Sequence, residues 1–370
     1  MRVEPLVRLH PRFTHLIVSG ETLVLVADED SKVVRDPLAV AVLPHLDGSL
    51  SAPEVAERVA HDATSVHFVI LSLLRHELAV EIPRGAEADA PSLSGVADRL
   101  SRAWAQAGSG GACLLPAGAW GGPAGTDLLL CDDYLRPEGA RIVAGRTAPA
   151  GGVAPVLLSR VGGGAVWVGP VIGPGAACLD CLRDRLNLNL TARSVVHGDD
   201  PDAAHEIRTL RPLVPAGAFQ RIAQLLAGVE DGGAGMLLRV AELPGEGAVT
   251  VHHVPSLPSC PSCGDPSLVL AGADFRLEPR PLDGHSGGGF RIMEPTETLA
   301  RYSHLMSPLV GVVRRVTRVE VPGPDLVHVY TASHAHHYGR GNLKAVRDDQ
   351  RDHAGGKGRT DLDARTSAFC

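Results

Sequence analysis

Cys178-Leu179-Asp180-Cys181 and Cys260-Pro261-Ser262-Cys263 are two C-x-x-C pairs in one chain, and they decide how its middle is read. A two-residue spacer lets both sulfurs of a pair point at one ion, and four thiolates form the closed tetrahedral shell that Zn(II) takes in structural sites. Gly175 before the first pair and Gly264 after the second permit the tight turns this requires. A redox disulfide needs only one such pair, at a helix start after a strand. A catalytic zinc needs an open coordination position, which four cysteines do not leave. Chance cysteines in a core are the remaining alternative. The expectation is about one structural zinc per chain, held by Cys178, Cys181, Cys260 and Cys263 and pinning two distant segments together.

Working outward from the first pair, Val153 to Ser159 and Ala165 to Ile172 read as strands joined by a turn at Gly162 to Gly164. Ala112 to Leu115 and Thr126 to Cys131 read as buried strands, with a further strand near Ala248 to His253. Val96 to Gln106, Cys181 to Leu190 and Ala216 to Val229 read as helices. This alternation predicts an α/β domain over residues 95–267.

Before it, residues 83 to 95 (PRGAEADAPSLSG) read as a linker. Residues 1–85 form a separate unit. Phe13 to Val18 and Thr22 to Ala27 are β-rich runs around Ser19-Gly20-Glu21, and Ser31 to Arg35 supplies a third strand. Three helices are then predicted. The first, Pro37 to Leu46, opens on Asp36 with Pro37 at its first position. The second opens on Ser51-Ala52-Pro53-Glu54, a capping box in which hydroxyl and carboxylate satisfy open amides reciprocally. The third spans Thr64 to Leu78, with Val66, Val69, Ile70, Leu73 and Leu74 on one face. Strands followed by short helices predict a winged helix-turn-helix. After a Gly-rich hinge at Leu282 to Gly289, a third unit covers 285–370.

The bulk composition limits the function classes. A chain of 370 residues exceeds one ordinary core, so two or three domains are expected. Apolar residues make up 44% and charged residues 21%, no long apolar run reads as a membrane span, and the N-terminus lacks the apolar segment of a signal peptide. A cytoplasmic protein is expected. The net charge is -7, and residues 1–85 hold eight Lys/Arg against twelve Asp/Glu, the wrong sign for phosphate contact, so nucleic acid is not an expected partner. Seven cysteines is an odd count, and Cys113, Cys131 and Cys370 look solitary. Aromatic content is only 4%, against 42 Gly and 28 Pro, which argues against an aromatic binding cage.

Three resemblances follow one another along the chain. Residues 13 to 82 resemble the PqqD-type peptide-recognition fold, with Leu46-Asp47-Gly48 closing the first helix. In that family a leader peptide adds a strand beside the third strand and lies against the third helix. The resemblance therefore implies docking between Ser31, Lys32, Val33, Val34 and Arg35 on one side and Val66, Ile70, Leu73 and Leu74 on the other. This agrees with the physics of an exposed strand edge, whose amides are unpaired.

Residues 95 to 267 resemble the ThiF/MoeB-like, ubiquitin-activating fold, in which a paired C-x-x-C zinc site is usual. Val168-Gly169-Pro170-Val171-Ile172-Gly173-Pro174-Gly175, leading into the first cysteine pair and Arg185-Leu186, is similar to such domains in azole-forming (thiopeptide-type) cyclodehydratases. An adenylating member carries a glycine-rich loop after its first strand. Here Gly108-Ser109-Gly110-Gly111 precedes that strand, so the domain is not expected to bind ATP.

Residues 289 to 370 resemble the start of an α+β YcaO domain. Gly289-Phe290-Arg291-Ile292, Pro295-Thr296-Glu297-Thr298, Leu305, Ser307-Pro308 and Gly311 are similar to its opening. Gly356-Lys357-Gly358, Ala364-Arg365 and Ser367-Ala368 resemble its first nucleotide motif, which implies Lys357 and Ser367 as contributors to a shared ATP site. The chain stops before the family's magnesium-binding glutamates. The expected reading is a leader-binding and zinc-scaffold subunit without catalytic residues of its own. A YcaO partner would supply the rest of the ATP/Mg site, and a homodimer is implied because family members pair through the scaffold. A shortened version of a longer chain is the alternative to such a split. Two other functions stay open: a stand-alone ThiF-like adenylating enzyme and a zinc-containing DNA-binding regulator. His334, His336 and His337 are read as strand residues and not as a metal site, since no carboxylate or cysteine partner is evident nearby. Cys370 has no identified base and is not read as a nucleophile.

Overall fold

The computed structural model describes residues 4–19, 21–27, 31–83, 95–108, 111–145, 154–174, 176–197, 206–210, 214, 217–228, 236–243, 248–265, 267, 293–320, 326–334 and 352–370. Among them run β1 (Leu6–Leu9), β2 (His15–Ser19), β3 (Thr22–Val26), β4 (Ser31–Val34), α1 (Pro37–Val42), β5 (Asp47–Ser51), α2 (Ala52–Val59), α3 (Ala63–Arg75) and β6 (Ala79–Ile82). The local signals act as their chemistry dictates. Asp36 accepts the Ala39 amide at 2.7 Å to start α1, and Glu54 accepts the Ser51 amide at 2.7 Å in the capping box of α2. β2, β3 and β4 form an antiparallel meander. A second small sheet, β5-β1-β6, was not expected: Asp47-Gly48, read as a helix stop, begins a strand opposite β1.

The second unit contains α4 (Gly95–Ala107), β7 (Ala112–Leu115), α5 (Ala117–Trp120), β8 (Asp127–Cys131), α6 (Pro137–Ala144), β9 (Val156–Arg160), β10 (Ala165–Ile172), α7 (Leu179–Asn189), α8 (Thr191–His197), β11 (Glu206–Thr209), α9 (Ala218–Ala227), β12 (Leu237–Glu242) and β13 (Val249–His253). Its sheet has the order β13-β12-β10-β9-β8-β7. Only β8 and β9 are parallel; the other neighbours are antiparallel. Both faces are covered, which is why Leu128-Leu129-Leu130 is apolar without alternation. Leu128, Leu130, Leu157, Val166 and Val168 face a core shared with α4 and α9, while Leu129, Leu158 and Trp167 face one shared with Leu182 and Leu186 of α7.

The two units are joined through the meander. β11, which belongs by sequence to the second unit, pairs antiparallel with β2, so the sheet reads β11-β2-β3-β4. One face of that sheet packs on α1, α2 and α3. The other buries Ile17, Val24 and Val26 against Ala192 and Val195 of α8. At the same seam Arg193 forms a buried ion pair with Asp133 and lies over Trp167, whose ring also meets the Arg160 guanidinium at 4.6 Å and the Tyr134 ring edge-on at 5.6 Å. A polar cleft there is lined by Thr14, His15, Asp132, Asp133, Arg136 and Arg160.

The third unit holds a helix Pro295–Tyr302, then β14 (Val313–Val319), β15 (His328–His334) and β16 (Asp352–Gly358) in an antiparallel sheet, and a helix Asp361–Phe369 packed on it. Leu309 and Val310, from the turn before β14, are fully buried in the core of the second unit. No helix among the described residues is long and apolar enough to cross a membrane.

Candidate functional site: a four-cysteine centre and an open sheet edge

Cys178 immediately precedes α7 in extended conformation and Cys181 lies in the first turn of that helix, so the helix start presents both sulfurs together. The second pair lies on a tight loop closed by bonds from the Cys260 amide to Leu257 O at 3.0 Å and from the Gly264 amide to Cys260 O at 2.8 Å. A Cβ at Gly264 would stand 2.4 Å from Pro258 O, so only glycine closes this loop. Gly175 lies outside the described residues.

The ligand atoms of Cys178, Cys181, Cys260 and Cys263 all fall within 4.8 Å of one another. Cys178 and Cys260 sulfurs are 3.8 Å apart and those of Cys181 and Cys263 3.3 Å. Tetrahedral zinc with bonds of about 2.3 Å requires sulfurs roughly 3.8 Å apart, so the cluster matches the ion's size and donor preference. The surroundings are those of a held thiolate set. The Leu257 amide donates to Cys181 Sγ at 3.3 Å, and Ser262 donates to the Asp180 carboxylate, linking the two loops outside the sulfurs. Burial pushes the Cys181 thiol well up and the Cys263 thiol up to about 11. For Cys260 burial also acts upward, but the Ser262 and Cys263 amides outweigh it and bring the thiol below its usual value. Four neighbouring thiolates would need a cation to offset their charge, and the cluster is compatible with a divalent ion such as zinc.

The second feature is β4. With β2 sealed by β11, β4 is the open edge of the meander among the described residues. Ser31, Lys32, Val33 and Val34 lie in it and Arg35 follows, exposed. Val34 packs toward the helices and Val33 toward the cluster under α8, so the strand is anchored on both faces while its flank faces out. On α3, by contrast, Val66, Ile70 and Leu73 are buried in the core, and Leu74 packs against it half-buried. Val66, Ile70 and Leu73 hold the helix down and do not offer a surface. The apolar groups that α3 turns outward are Phe68, 76% exposed, and Leu71, 49% exposed. They escape a sequence reading because the helix is apolar nearly all round and its periodic stripe marks only the side that faces the core. Their i, i+3 spacing off that stripe was the available signal.

Lys357 and Ser367 are not brought to one face. Gly356 and Gly358 turn toward the Asp361–Phe369 helix, where a Cβ on Gly356 would meet the Ala368 amide at 2.0 Å. Alternation sends Lys357 to the other side of the sheet, away from the helix that carries Ser367. The two glycines thus explain themselves by close helix packing. The same holds for Gly111, whose φ of +66° brings its bare side against the Asp132–Arg136 ion pair. His334 ends β15; His336 and His337 lie outside the described residues.

No family model matches the chain, and no curated protein matches it in sequence. Among solved structures, a heterocyclase in complex with substrate and cofactor aligns over 99% of this chain and 53% of its own, at 22% identity and a TM-score of 0.50. The heterocyclase TruD aligns over 84% of this chain and 49% of its own, at 21% identity and 0.36. The E. coli microcin synthetase McbBCD complex aligns over 70% of this chain and 100% of its own, at 13% identity and 0.31. The chain spans about half the length of the two heterocyclases. The first of these likenesses is one of fold: a mixed α/β architecture of several sheets, shared with a heterocyclase along nearly the whole of this chain.

Proposed function

We propose that this chain binds the leader of a ribosomal precursor peptide and presents its core to an ATP-dependent YcaO partner, which converts Cys, Ser or Thr residues to azolines. The observation that carries the reading is the meander's open edge at β4 among the described residues, on a domain whose α3 also exposes Phe68 and Leu71. A visiting strand gains affinity from β4's outward amides and carbonyls and specificity from apolar side-chain contacts. The heterocyclase-like fold supports the chemistry assigned to the complex. In that chemistry a peptide amide oxygen is phosphorylated so that the adduct formed by a side-chain thiol or hydroxyl can lose phosphate, and Mg/ATP belongs to the assembled site with the partner. The four cysteines hold a structural zinc, and two copies pair through the scaffold.

Titration of the chain with candidate leader peptides tests the reading. Amide resonances of Ser31 to Arg35 and of α3 should shift on binding, and ATP turnover should require the partner. Unchanged resonances across a panel of leaders from neighbouring genes would remove the basis of the proposal, and turnover by the isolated chain would favour an adenylating enzyme instead.

A further inference from the structure

His252 of β13 lies 8% exposed where the second unit meets the third. Its Nδ1 is 3.0 Å from Ser307 Oγ, and its Nε2 is 3.0 Å from Thr250 Oγ1. Ser307, 1% exposed, accepts the backbone N–H groups of Leu309 and Val310 on the same Oγ, each at 3.1 Å. A hydroxyl has two lone pairs and one proton. With both lone pairs engaged, the Ser307 proton must point at His252 Nδ1, which is therefore bare. The ring hydrogen then sits on Nε2 and is donated to Thr250 Oγ1, whose own proton points to Val240 O at 3.4 Å. Every donor in this row finds an acceptor only if the imidazole is neutral. A second ring proton would face the Ser307 proton directly.

The row ends at the turn that joins the two units. Ser307 opens a tight turn in which the Gly311 amide bonds Ser307 O at 3.1 Å and the Ser307 amide bonds Val313 O at 3.0 Å. The apex inserts Leu309 and Val310 among Leu182, Leu186, Leu190 and Val254, and Asn189 Nδ2 donates to Gly311 O at 3.0 Å. Beside it the His253 and His304 rings meet edge-on at 5.2 Å, one from each unit. Burial lowers the proton affinity of His252; burial and the facing His304 lower that of His253.

We infer that His252 is a proton-sensitive latch: in its neutral form it seats the Leu309–Val310 turn in the scaffold and so fixes the β14-β15-β16 sheet to the rest of the chain. For a histidine whose value falls on seating, the released form takes up the proton first. The seat is at full strength above the ordinary histidine value of 6.5 and weakens as pH falls below it.

Hydrogen exchange of residues 305–312 in the full chain, corrected for the intrinsic pH dependence, reads the latch directly. Exchange through opening should rise several-fold between pH 7.5 and 5.5, toward a ceiling of about tenfold for one group with an ordinary value of 6.5, with bound metal measured at both values to exclude loss of the cysteine centre. His252→Asn keeps an acceptor toward Ser307 and removes the His252 titration, so the rise in exchange should be clearly smaller than in the unmutated chain, any remainder belonging to the His253–His304 pair. On the unmutated chain, nitrogen-15 spectroscopy should find His252 as the Nε2–H tautomer at pH 7.5. An Nδ1–H tautomer, or equal protection at both pH values, would overturn the inference, whether or not the variant folds.

Discussion

The sulfurs of Cys181 and Cys263 lie 3.3 Å apart although 82 residues separate them along the chain. Such closure of distant segments is what a structural metal stabilises. The purified chain is expected to carry about one zinc, and chelation to lower its melting temperature by roughly 5–10 °C, taking the about 2.7 kcal/mol that a ligand at a hundred times its Kd contributes and about 2–4 °C per kcal/mol. Metal analysis with calorimetry checks this. A metal-free chain melting at an unchanged temperature would contradict it.

Phe68→Ala and Leu71→Ala should leave the melting temperature nearly unchanged, since both side chains face solvent. Each is expected to weaken a cognate leader about tenfold, or about 1.4 kcal/mol. Ile70→Ala, in the core, should instead cost about 2–5 kcal/mol of stability. Calorimetric titration and melting of the three variants separate docking from packing.

Arg193→Met removes one partner of Asp133 at a site where both side chains are almost wholly buried. Breaking such a pair costs about 3–5 kcal/mol because a charge is left unmatched, and replacing both members costs less. Denaturation of R193M, D133L and the double variant should therefore be strongly non-additive.

Gly356→Ala places a methyl within 2.0 Å of the Ala368 amide, so the last helix must move. A loss of about 1–3 kcal/mol is expected, confined to the third unit. Lys357→Ala, on the opposite face, should leave stability within about 0.5 kcal/mol. Limited proteolysis of the two variants reads the difference.

What could be read from sequence were features whose cause is local. Asp36, the Ser51–Glu54 box and the leucine run of β8 each announce an element through their own chemistry. β1, β5 and β11 escaped because four or five residues of strand gain their identity from partners far along the chain, and Glu206-Ile207-Arg208-Thr209 says nothing of its pairing with β2. The cysteines were legible as a set because metal chemistry needs fixed spacing. Lys357 and Ser367 were paired by motif, whereas the pleat of β16 separates them. His252 and Ser307 meet only through tertiary packing, so no spacing rule connects them.

β11 has a consequence beyond holding two units together. A small sheet with two bare flanks can be extended copy upon copy, and many proteins blunt such flanks to stay dispersed. Here, among the described residues, the chain lays its own segment on the β2 flank, so β2 is withheld from any visitor and a guest strand that lies against the meander itself is steered to β4.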